Sequence, residues 1–369
     1  MRVALIHDWL TGYRGGEKAL DALCQVFPSA DLFTLFHVPG STSPTIERRR
    51  ITASPLQWLP AATRRYREYL PLFPWAIEQF NLDGYDLVVS TSHCAAKSVV
   101  VPGRARHLCY CLTPMRYAWD QFEAYFGAER IGRVPSALLR PVMARLARWD
   151  RDTAHRVHRY VAISQYVARR IRAYYNRETS VVFPPVDTTF YTPAAVPVTP
   201  HFLIVSALVP YKRVDLAMQA ARQAGVALTV VGDGPERRAL EALAGGQVQL
   251  AGRQSDEAIR DLYRRSVATI LPGEEDFGIV PVEAQACGRP VVALARGGAL
   301  DTVVPDVTGV LVDAPGADGL ADGYRRILTQ SWDSAVIRTH AERFSHEAFV
   351  DGIRRATDEV MAAPPGHTW

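Results

Sequence analysis

The sequence predicts an α/β protein built from two doubly wound, Rossmann-like domains. Its 369 residues exceed what one small core needs, and short β-branched runs alternate with helical patterns, as in βαβ units. A proline-rich stretch without periodicity, residues 181–200, separates two such series. We therefore place the domains at 1–190 and 191–340. Residues 341–369 are expected to form a helical tail that packs back toward the amino-terminal domain.

The first domain is predicted to begin with a strand and a helix. The run RVALI predicts the strand, and EKALDALCQVF predicts the helix because its apolar residues recur at helical spacing. Later β-branched and apolar runs predict three further strands, at YDLVVS, RHLCYCL and RYVAIS.

The second domain repeats this alternation. A strand at FLIVSAL precedes a helix at RVDLAMQAARQAG, and further strands are predicted at ALTVV, VQLAG, VATIL, PVVALA and GVLVD. From Gly319 onward the pattern is mainly helical.

Residues 130–172 hold much of the chain's positive charge, in a protein of net charge +4. Arginines alternate there with apolar residues at helical spacing, namely Leu138, Leu139, Val142, Met143, Leu146 and Trp149. One interpretation is a helix with its apolar stripe on the core and a solvated basic face. The other is a surface for anionic lipid head groups or a phosphate-bearing acceptor. No nucleic-acid recognition module is visible, so nucleic acid is not an expected partner.

The five cysteines contain no Cys-x-x-Cys pair, so the sequence supports neither a disulfide framework nor a structural zinc site. We expect buried thiols. The amino terminus shows no signal-peptide pattern and no run approaches the length of a membrane span, so we expect a cytoplasmic protein.

The segment GEEDFGIVPVEAQACG places acids on both sides of a turn between a predicted strand and a predicted helix. In parallel sheets, ligands bind at the carboxyl ends of strands, where helix amino termini favour phosphate. There Glu275 can accept hydrogen bonds from sugar hydroxyls and Glu283 can hold a ribose diol, while Gly278 lets the backbone approach the ligand. The competing interpretation is that Glu283 is a first-turn acid and Glu275 is solvated.

With this motif, SALVPYKRVD, VVGDGP, GRQSDEAIRDLY, GGALDTV and TGVLV occur in the order typical of one family. The chain resembles the retaining glycosyltransferases of the GT-B fold, family 4. HDWLTGYRGGEK, YCLTPMRYAWD and FPPVD are similar to the mannosyltransferase-like branch of bacterial exopolysaccharide and O-antigen synthesis. The resemblance implies two Rossmann-like domains facing across a cleft.

The same resemblance implies transfer of a hexose, by best match mannose from GDP-mannose, to a glycan or polyprenyl-diphosphate-linked oligosaccharide. This acceptor would place the protein peripherally at the inner face of the plasma membrane. A 6-deoxyhexosyl transferase and a nucleotide-sugar-binding partner without full activity remain alternatives. A dinucleotide-dependent oxidoreductase is disfavoured because no Gly-x-Gly-x-x-Gly follows RVALI or FLIVS.

Residue by residue, the resemblance implies that Lys212 and Glu275 are catalytic. Lys212, with Arg213 as helper, would neutralise the donor diphosphate without a metal or other cofactor. Glu275 would hold the transferred sugar and Glu283 the ribose. The other implied donor-binding positions are Gly15, Gly16, Gly232, Gly234, Phe277, Gly278, Ile279 and Val280.

Two positions depart from the family pattern. Ala207 stands where a phosphate-binding arginine is usual, and Leu112 stands where many relatives carry a histidine beside the sugar. Leu112 is compatible with reduced activity, with His93 reaching the same space, or with a donor that lacks a C6 hydroxyl. Asp8 is expected either to contact the acceptor or to cap a turn.

Overall fold

The computed structural model describes residues 1–364, 366, 367 and 369, without the side chains of residues 124 and 130. The chain forms two compact units. Unit 1 contains Met1–Phe183 and Phe349–Trp369, and unit 2 contains Pro184–Ala348. The first division thus falls before the boundary expected at residue 190, and the chain rejoins unit 1 after the boundary expected at 340. Residues 365 and 368 of the predicted tail lie outside the described residues.

Unit 1 is built on a parallel sheet of seven strands in the order β3-β2-β1-β4-β5-β6-β7. Strands were predicted at β1, β4, β5 and β6, which are confirmed. The other three strands were not predicted because runs of three or four residues are too short to show a period. The strands are β1 (Val3–His7), β2 (Asp31–Thr34), β3 (Ile51–Ala53), β4 (Leu87–Ser92), β5 (Arg106–Cys111), β6 (Arg159–Ala162) and β7 (Thr179–Val181).

Helices lie in all the connections between these parallel strands except that from β4 to β5, which holds only a 3₁₀ turn. They are α1 (Gly15–Val26), α2 (Pro44–Glu47), α3 (Ala62–Arg65), α4 (Phe73–Ile77), α5 (Arg116–Trp119), α6 (Phe122–Phe126), α7 (Ala128–Ile131), α8 (Arg133–Asp152) and α9 (Gln165–Tyr175). Short 3₁₀ turns lie at Pro55–Trp58, Tyr66–Leu72, Ala96–Ser98 and Ala154–Arg156.

Helix α8 is the predicted basic helix, but its apolar stripe is only partly buried. Met143 and Leu146 enter the core, and Trp149 packs against it. The interpretation that the whole apolar stripe faces the core fails at Leu138, whose side chain is 69% exposed. Val134, in the first turn of α8, is likewise exposed, so the apolar residues that face solvent lie near the amino terminus of the helix.

Unit 2 has a parallel sheet of six strands in the order β10-β9-β8-β11-β12-β13. Its strands are β8 (His201–Val205), β9 (Ala227–Val231), β10 (Val248–Gly252), β11 (Thr269–Leu271), β12 (Val291–Leu294) and β13 (Gly309–Val312), all at predicted positions. Its helices are α10 (Val214–Ala224), α11 (Arg237–Leu243), α12 (Asp256–Arg265), α13 (Ile279–Ala286), α14 (Ala299–Thr302), α15 (Ala317–Thr329) and α16 (Ser334–Ala341), with 3₁₀ turns at Pro210–Lys212 and Glu342–Phe344.

The last helix, α17 (His346–Ala362), begins in unit 2 and packs within unit 1 from Phe349 onward. The ring of Phe349 lies 5.4 Å from that of Tyr110 on β5. Arg159 on β6 pairs with Glu359 at 2.8 Å. The helix therefore adds a layer to the unit 1 sheet.

Each sheet has one point where the strand order reverses, between β1 and β4 in unit 1 and between β8 and β11 in unit 2. The loops that follow these strands diverge to opposite faces and leave a crevice, which is the usual ligand position in such sheets. All five cysteines are buried and free, as predicted. In the described part of the chain, no helix combines the length and apolar character that crossing a bilayer requires.

Candidate functional site

The reversal point of unit 2 brings together the two residues predicted to be catalytic. The loop after β8 carries Lys212 and the loop after β11 carries Glu275, and the Lys212 Nζ atom forms a salt bridge with Glu275 Oε1. Their side chains are 17% and 20% exposed, so the pair is accessible from solvent. A ligand bound there would meet one cation and one hydrogen-bond acceptor.

A glycine allows these two loops to approach. A Cβ atom on Gly273 would lie 2.5 Å from the carbonyl oxygen of Tyr211 and 2.9 Å from the Cα of Lys212. Both distances are shorter than a carbon side chain tolerates, so a larger residue would push the Lys212 loop outward. The position of Lys212 therefore depends on the backbone just before Glu275.

A second close approach holds the Glu275 loop from its other side. The Gly298 amide donates a hydrogen bond to the Glu275 carbonyl oxygen at 2.8 Å. A Cβ atom on Gly298 would lie 2.3 Å from the Phe277 Cα. Sequence reasoning did not assign Gly298 to the site, although two adjacent glycines in the loop after β12 were a visible signal.

Helix α13 begins beside this loop. Gly278 precedes its first residue with φ of +87°, a left-handed conformation that favours glycine. The amides of Ile279 and Val280 have no acceptor within the helix, because the first turn offers none. The Phe277 ring is buried, 5.7 Å from the ring of Phe344, so Phe277 can serve a ligand only through its backbone.

Glu283 lies inside α13 and is only 6% exposed. Tyr263 on α12 donates a hydrogen bond to Glu283 Oε2 at 2.9 Å, and the Tyr191 hydroxyl also bonds to this carboxyl. Burial, followed by the negative charge of Glu283, raises the pKa of Tyr263 well above its usual value. The alternative that Glu283 is a first-turn acid is therefore wrong, because Glu283 is the fifth residue of α13. Glu275, which the same alternative leaves to solvent, pairs with Lys212. Tyr263 and Tyr191 were missed because nothing in the sequence links either to Glu283.

The remaining unit 2 positions lie around the Lys212 loop. A Cβ atom on Gly232 would lie 1.8 Å from the Ser206 carbonyl oxygen, and one on Gly234 would lie 2.3 Å from that of Leu208. Both glycines thus let the loops after β8 and β9 pack closely. Arg213 forms hydrogen bonds of 3.1 and 3.0 Å with Asp215 and is 46% exposed.

At the reversal point of unit 1, Asp8 follows β1 and is completely buried. Its carboxylate accepts four backbone hydrogen bonds, at 2.6–2.9 Å, from the amides of residues 93–96. These bonds cap the turn after β4. Of the two predicted roles, Asp8 has the turn-capping one, since its oxygens are occupied inside the protein.

His93 lies at the start of this turn, with Nδ1 3.1 Å from Asp8 Oδ2 and its ring edge-on to Trp9 at 4.3 Å. Burial lowers the pKa of His93 despite the neighbouring carboxylate, so the neutral imidazole is favoured. Its side chain keeps 23% exposure. A neutral, partly accessible histidine can donate or accept a hydrogen bond.

Gly15 and Gly16 open α1, and Glu17 follows them. Glu17 accepts a hydrogen bond from the Arg14 amide at 2.9 Å and lies 3.8 Å from His7 Nε2. Burial would raise the pKa of Glu17, but the neighbouring His7 brings the net pKa below its normal value. Glu17 therefore ties the glycine loop to β1.

Leu112 follows β5 and lies over the same loop. A Cβ atom on Gly16 would be 3.1 Å from Leu112 Cδ1. The structure thus groups Gly16, Leu112 and His93 near the reversal point of unit 1. It groups Lys212, Glu275 and Glu283 in unit 2. Among the described residues, no cluster of three or more histidine, cysteine or acidic side chains is arranged to hold a metal ion.

Comparisons with known proteins agree with this architecture. Residues 195–353 match the family model described as "Glycosyl transferases group 1". A D-inositol 3-phosphate glycosyltransferase of Mycolicibacterium smegmatis is 27% identical over 241 residues, covering 58% of this chain and 55% of the relative. A protein of the same name from Geodermatophilus obscurus is 32% identical over 243 residues, covering 56% and 54%. The chain thus spans about half the length of the curated relatives it matches.

Solved structures match over nearly the whole chain. Anabaena HepE, crystallised in complex with UDP, aligns with a TM-score of 0.73 and 18% identity, covering 97% of this chain and all of HepE (100%). Sucrose-phosphate synthase from Thermosynechococcus elongatus aligns with a TM-score of 0.67 and 20% identity, covering 99% and 100%. The chain has the GT-B fold.

Proposed function

We propose that the protein is a nucleotide-sugar-dependent glycosyltransferase that uses the unit 2 reversal point as its donor site. The observation that carries this proposal is the Lys212–Glu275 pair at the carboxyl ends of β8 and β11, with buried Glu283 in the adjoining helix. A cation, a hydroxyl acceptor and a diol acceptor match the three parts of a nucleotide sugar. The family match of residues 195–353 and the UDP complex of HepE support it.

In this proposal Lys212 contacts the diphosphate, the amides of Ile279 and Val280 face a phosphate oxygen, and Glu275 holds sugar hydroxyls. Glu283 accepts hydrogen bonds from the ribose. Because Glu275 and Lys212 pair with each other in the structure, the donor must separate them or fit between them. The sugar hydroxyls would then replace Lys212 as partners of Glu275.

The proposed reaction retains the anomeric configuration. The acceptor hydroxyl attacks the anomeric carbon from the side of the leaving diphosphate, and a phosphate oxygen takes the acceptor proton. Lys212 and the backbone amides then stabilise the negative charge on the departing diphosphate. The protein positions the reactants and supplies positive charge. One well-placed hydrogen-bond donor of this kind lowers the activation free energy by about 3 kcal/mol.

We further propose mannose from GDP-mannose as the transferred unit and a glycan or polyprenyl-diphosphate-linked acceptor at an anionic membrane surface. The support is the resemblance of HDWLTGYRGGEK and YCLTPMRYAWD to one mannosyltransferase branch. Leu112, whose apolar side chain lies beside Gly16, favours a 6-deoxyhexose donor as the alternative. Thermal stabilisation by a panel of GDP-, UDP- and dTDP-sugars separates these donors, and stabilisation by 6-deoxy donors alone would reject mannose.

The roles of the two glutamates are separable by comparing free nucleotide with intact donor. Glu283→Gln should weaken both ligands. Glu275→Gln should weaken binding of the nucleotide sugar. It should leave binding of the free nucleoside diphosphate as tight as in the wild type or tighter, because Lys212 loses its competing carboxylate. Equal weakening of free nucleotide by both variants would contradict the assignment.

Lys212→Ala tests catalysis directly. We expect kcat/KM to fall roughly a hundredfold or more, whereas the control Arg325→Ala, an exposed surface cation of the same unit, should retain full activity. A second candidate function, nucleotide-sugar binding without transfer, is favoured by Ala207 and Leu112. If the wild-type protein binds donors yet neither transfers nor hydrolyses any of them, this second function is correct.

A further inference from the structure

Unit 2 contains a groove outside the proposed donor site. Its volume is about 940 Å³, and its lining comes mainly from β9, β10 and α12. None of the donor-site residues assigned above contributes to this lining. Pockets that bind small molecules measure about 300–1,000 Å³. This cavity, here called the β10 groove, is therefore large enough for a ligand of its own.

Short side chains on one face of the sheet create this space. In β9, Leu228 and Val230 pack into the core with residues of α10 and α11. Successive strand residues point to opposite faces, so Ala227 and Thr229 face the groove instead. In β10 the exposed side chain of Gln249 also lines the groove. The alanine and the threonine are too short to fill the volume between β9 and α12.

Most polar side chains of the groove are neutral. Gln247, Gln249 and Gln254 line it, and they are three of the seven glutamines in residues 184–348, a range without asparagine. Gln247 and Gln249 are exposed, and their side chains have no hydrogen-bond partner in the described part of the chain. Burial lowers the pKa of His201, so its imidazole is uncharged at neutral pH. Each amide offers a donor and an acceptor to a ligand.

The two charged side chains of the groove do not favour an ionic ligand. Asp261 lies 3.1 Å from Arg264, and Arg265 is the single cation among the lining residues that the structure describes. An anionic ligand would thus meet one guanidinium group and a nearby carboxylate. An apolar ligand would remove water from the amides without giving them partners, which costs free energy.

We propose that the β10 groove binds a neutral oligosaccharide. Sugar hydroxyls both donate and accept hydrogen bonds, as the amides of Gln247 and Gln249 do. Ala258 and Leu262, four positions apart on α12, line the same groove and can cover the C–H faces of the sugar rings. This binding concerns unit 2 alone and needs neither the donor nor transfer, so it goes beyond the proposed function.

A peptide strand is the competing occupant, because β10 is at the edge of its sheet. The pairing register of β10 with β9 shifts between Leu250 and Gly252, and Gly252 has φ of +68°. This irregularity interrupts the even spacing of N–H and C=O groups that an added strand requires. The edge therefore disfavours strand addition, and the amides beside it favour a sugar.

Titration calorimetry with the full-length chain tests this proposal. The probes are neutral oligosaccharides of three to six residues from manno-, gluco- and galacto-series. We expect at least one series to bind, with an affinity that high salt does not reduce, because no charge is involved. Saturating GDP or UDP should not reduce it either, since the groove and the donor site share no lining residue. If no member of the panel binds, the proposal is wrong.

Gln247→Ala with Gln249→Ala should weaken oligosaccharide binding roughly tenfold or more, because two hydrogen-bonding amides are lost. The matched control is Gln223→Ala with Gln330→Ala, which removes two exposed glutamines of the same unit outside the groove. This control should bind like the wild type.

Ala227→Phe places a ring inside the groove and should abolish binding. Ala242→Phe, at an exposed position on α11 outside the groove, should leave binding unchanged. Because Ala227 and Ala242 are exposed, neither variant should alter the melting temperature or the stabilisation by nucleotide.

Unchanged oligosaccharide binding in both the double-glutamine variant and Ala227→Phe would overturn the proposal. Competition between the oligosaccharide and GDP or UDP would also overturn it, because the sugar would then occupy the donor site. If an extended peptide binds and Ala227→Phe blocks it while no sugar binds, the occupant is a peptide and the sugar assignment is wrong. Failure of the donor-site proposal would appear instead as absent nucleotide stabilisation with oligosaccharide binding intact.

Discussion

Tyr263→Phe removes one buried oxygen atom and tests how Glu283 is held. The Tyr263 hydroxyl is fully buried and donates to a carboxylate at 2.9 Å that is itself 6% exposed. A hydrogen bond to a charged group contributes about 1.5–3 kcal/mol. We therefore expect unit 2 to lose about 2 kcal/mol, which for a domain of its size lowers Tm by roughly 4–8 °C.

Thermal denaturation measures the stability change, and titration calorimetry measures nucleotide affinity. If Glu283 binds the ribose, loss of the Tyr263 hydrogen bond should leave its carboxyl less well positioned. Nucleotide binding should then weaken by about 1 kcal/mol, or roughly fivefold in Kd. Tyr324→Phe is the matched control, because Tyr324 is buried in the same unit and donates to a neutral acceptor, the Ala217 carbonyl oxygen, at 3.1 Å. It should cost about 1 kcal/mol of stability and leave nucleotide affinity unchanged.

A double-mutant cycle isolates the interaction energy between Tyr263 and Glu283. Once Glu283→Gln has removed the charge, Tyr263→Phe should cost less than it does in the wild type, with a coupling of about 1–2 kcal/mol. Additive effects on stability, together with unchanged nucleotide affinity in Tyr263→Phe, would refute the argument that Tyr263 positions Glu283.

Three further predictions concern pH and backbone contacts. Burial lowers the pKa of His340 to about 4, so the unfolded chain binds the extra proton between pH ~6.5 and ~4, and stability falls as pH falls through that range. Urea unfolding should show that the free energy of unfolding depends less on pH in His340→Gln than in the wild type. Asp8→Asn should destabilise unit 1 by about 2–4 kcal/mol, because four amides lose a charged acceptor. Nucleotide affinity measured by calorimetry should not change. A loss of nucleotide affinity with an unchanged Tm would contradict the capping role. Gly298→Ala should place a methyl group against the Phe277 backbone and weaken donor binding, while Ala299→Gly, one residue along, should leave it near the wild-type value.

Local sequence patterns were sufficient to predict the central strands and the chemistry that individual residues can perform. Strands β1, β4 and β8–β13 consist of apolar or β-branched runs whose identity does not depend on their neighbours. The three-residue strand β3 has no such signal, because pairing with β2 is what makes it a strand. Leu138 shows the same limit, since helical spacing predicts a stripe but not how far the core extends beneath it.

The order of residues along the chain determined that both halves form parallel α/β units and that Lys212, Glu275 and Glu283 follow or adjoin the strands that carry ligands in such sheets. Only the tertiary structure decided that Lys212 pairs with Glu275 and that Tyr263 donates a hydrogen bond to Glu283. It also decided that the Asp8 carboxylate caps a turn. These contacts join residues 20 or more positions apart, and their geometry depends on where packed backbones meet. Local propensity depends on neighbours a few residues away. Glycine is required at position 298 for a different reason, because a Cβ atom there would lie 2.3 Å from the backbone of another loop.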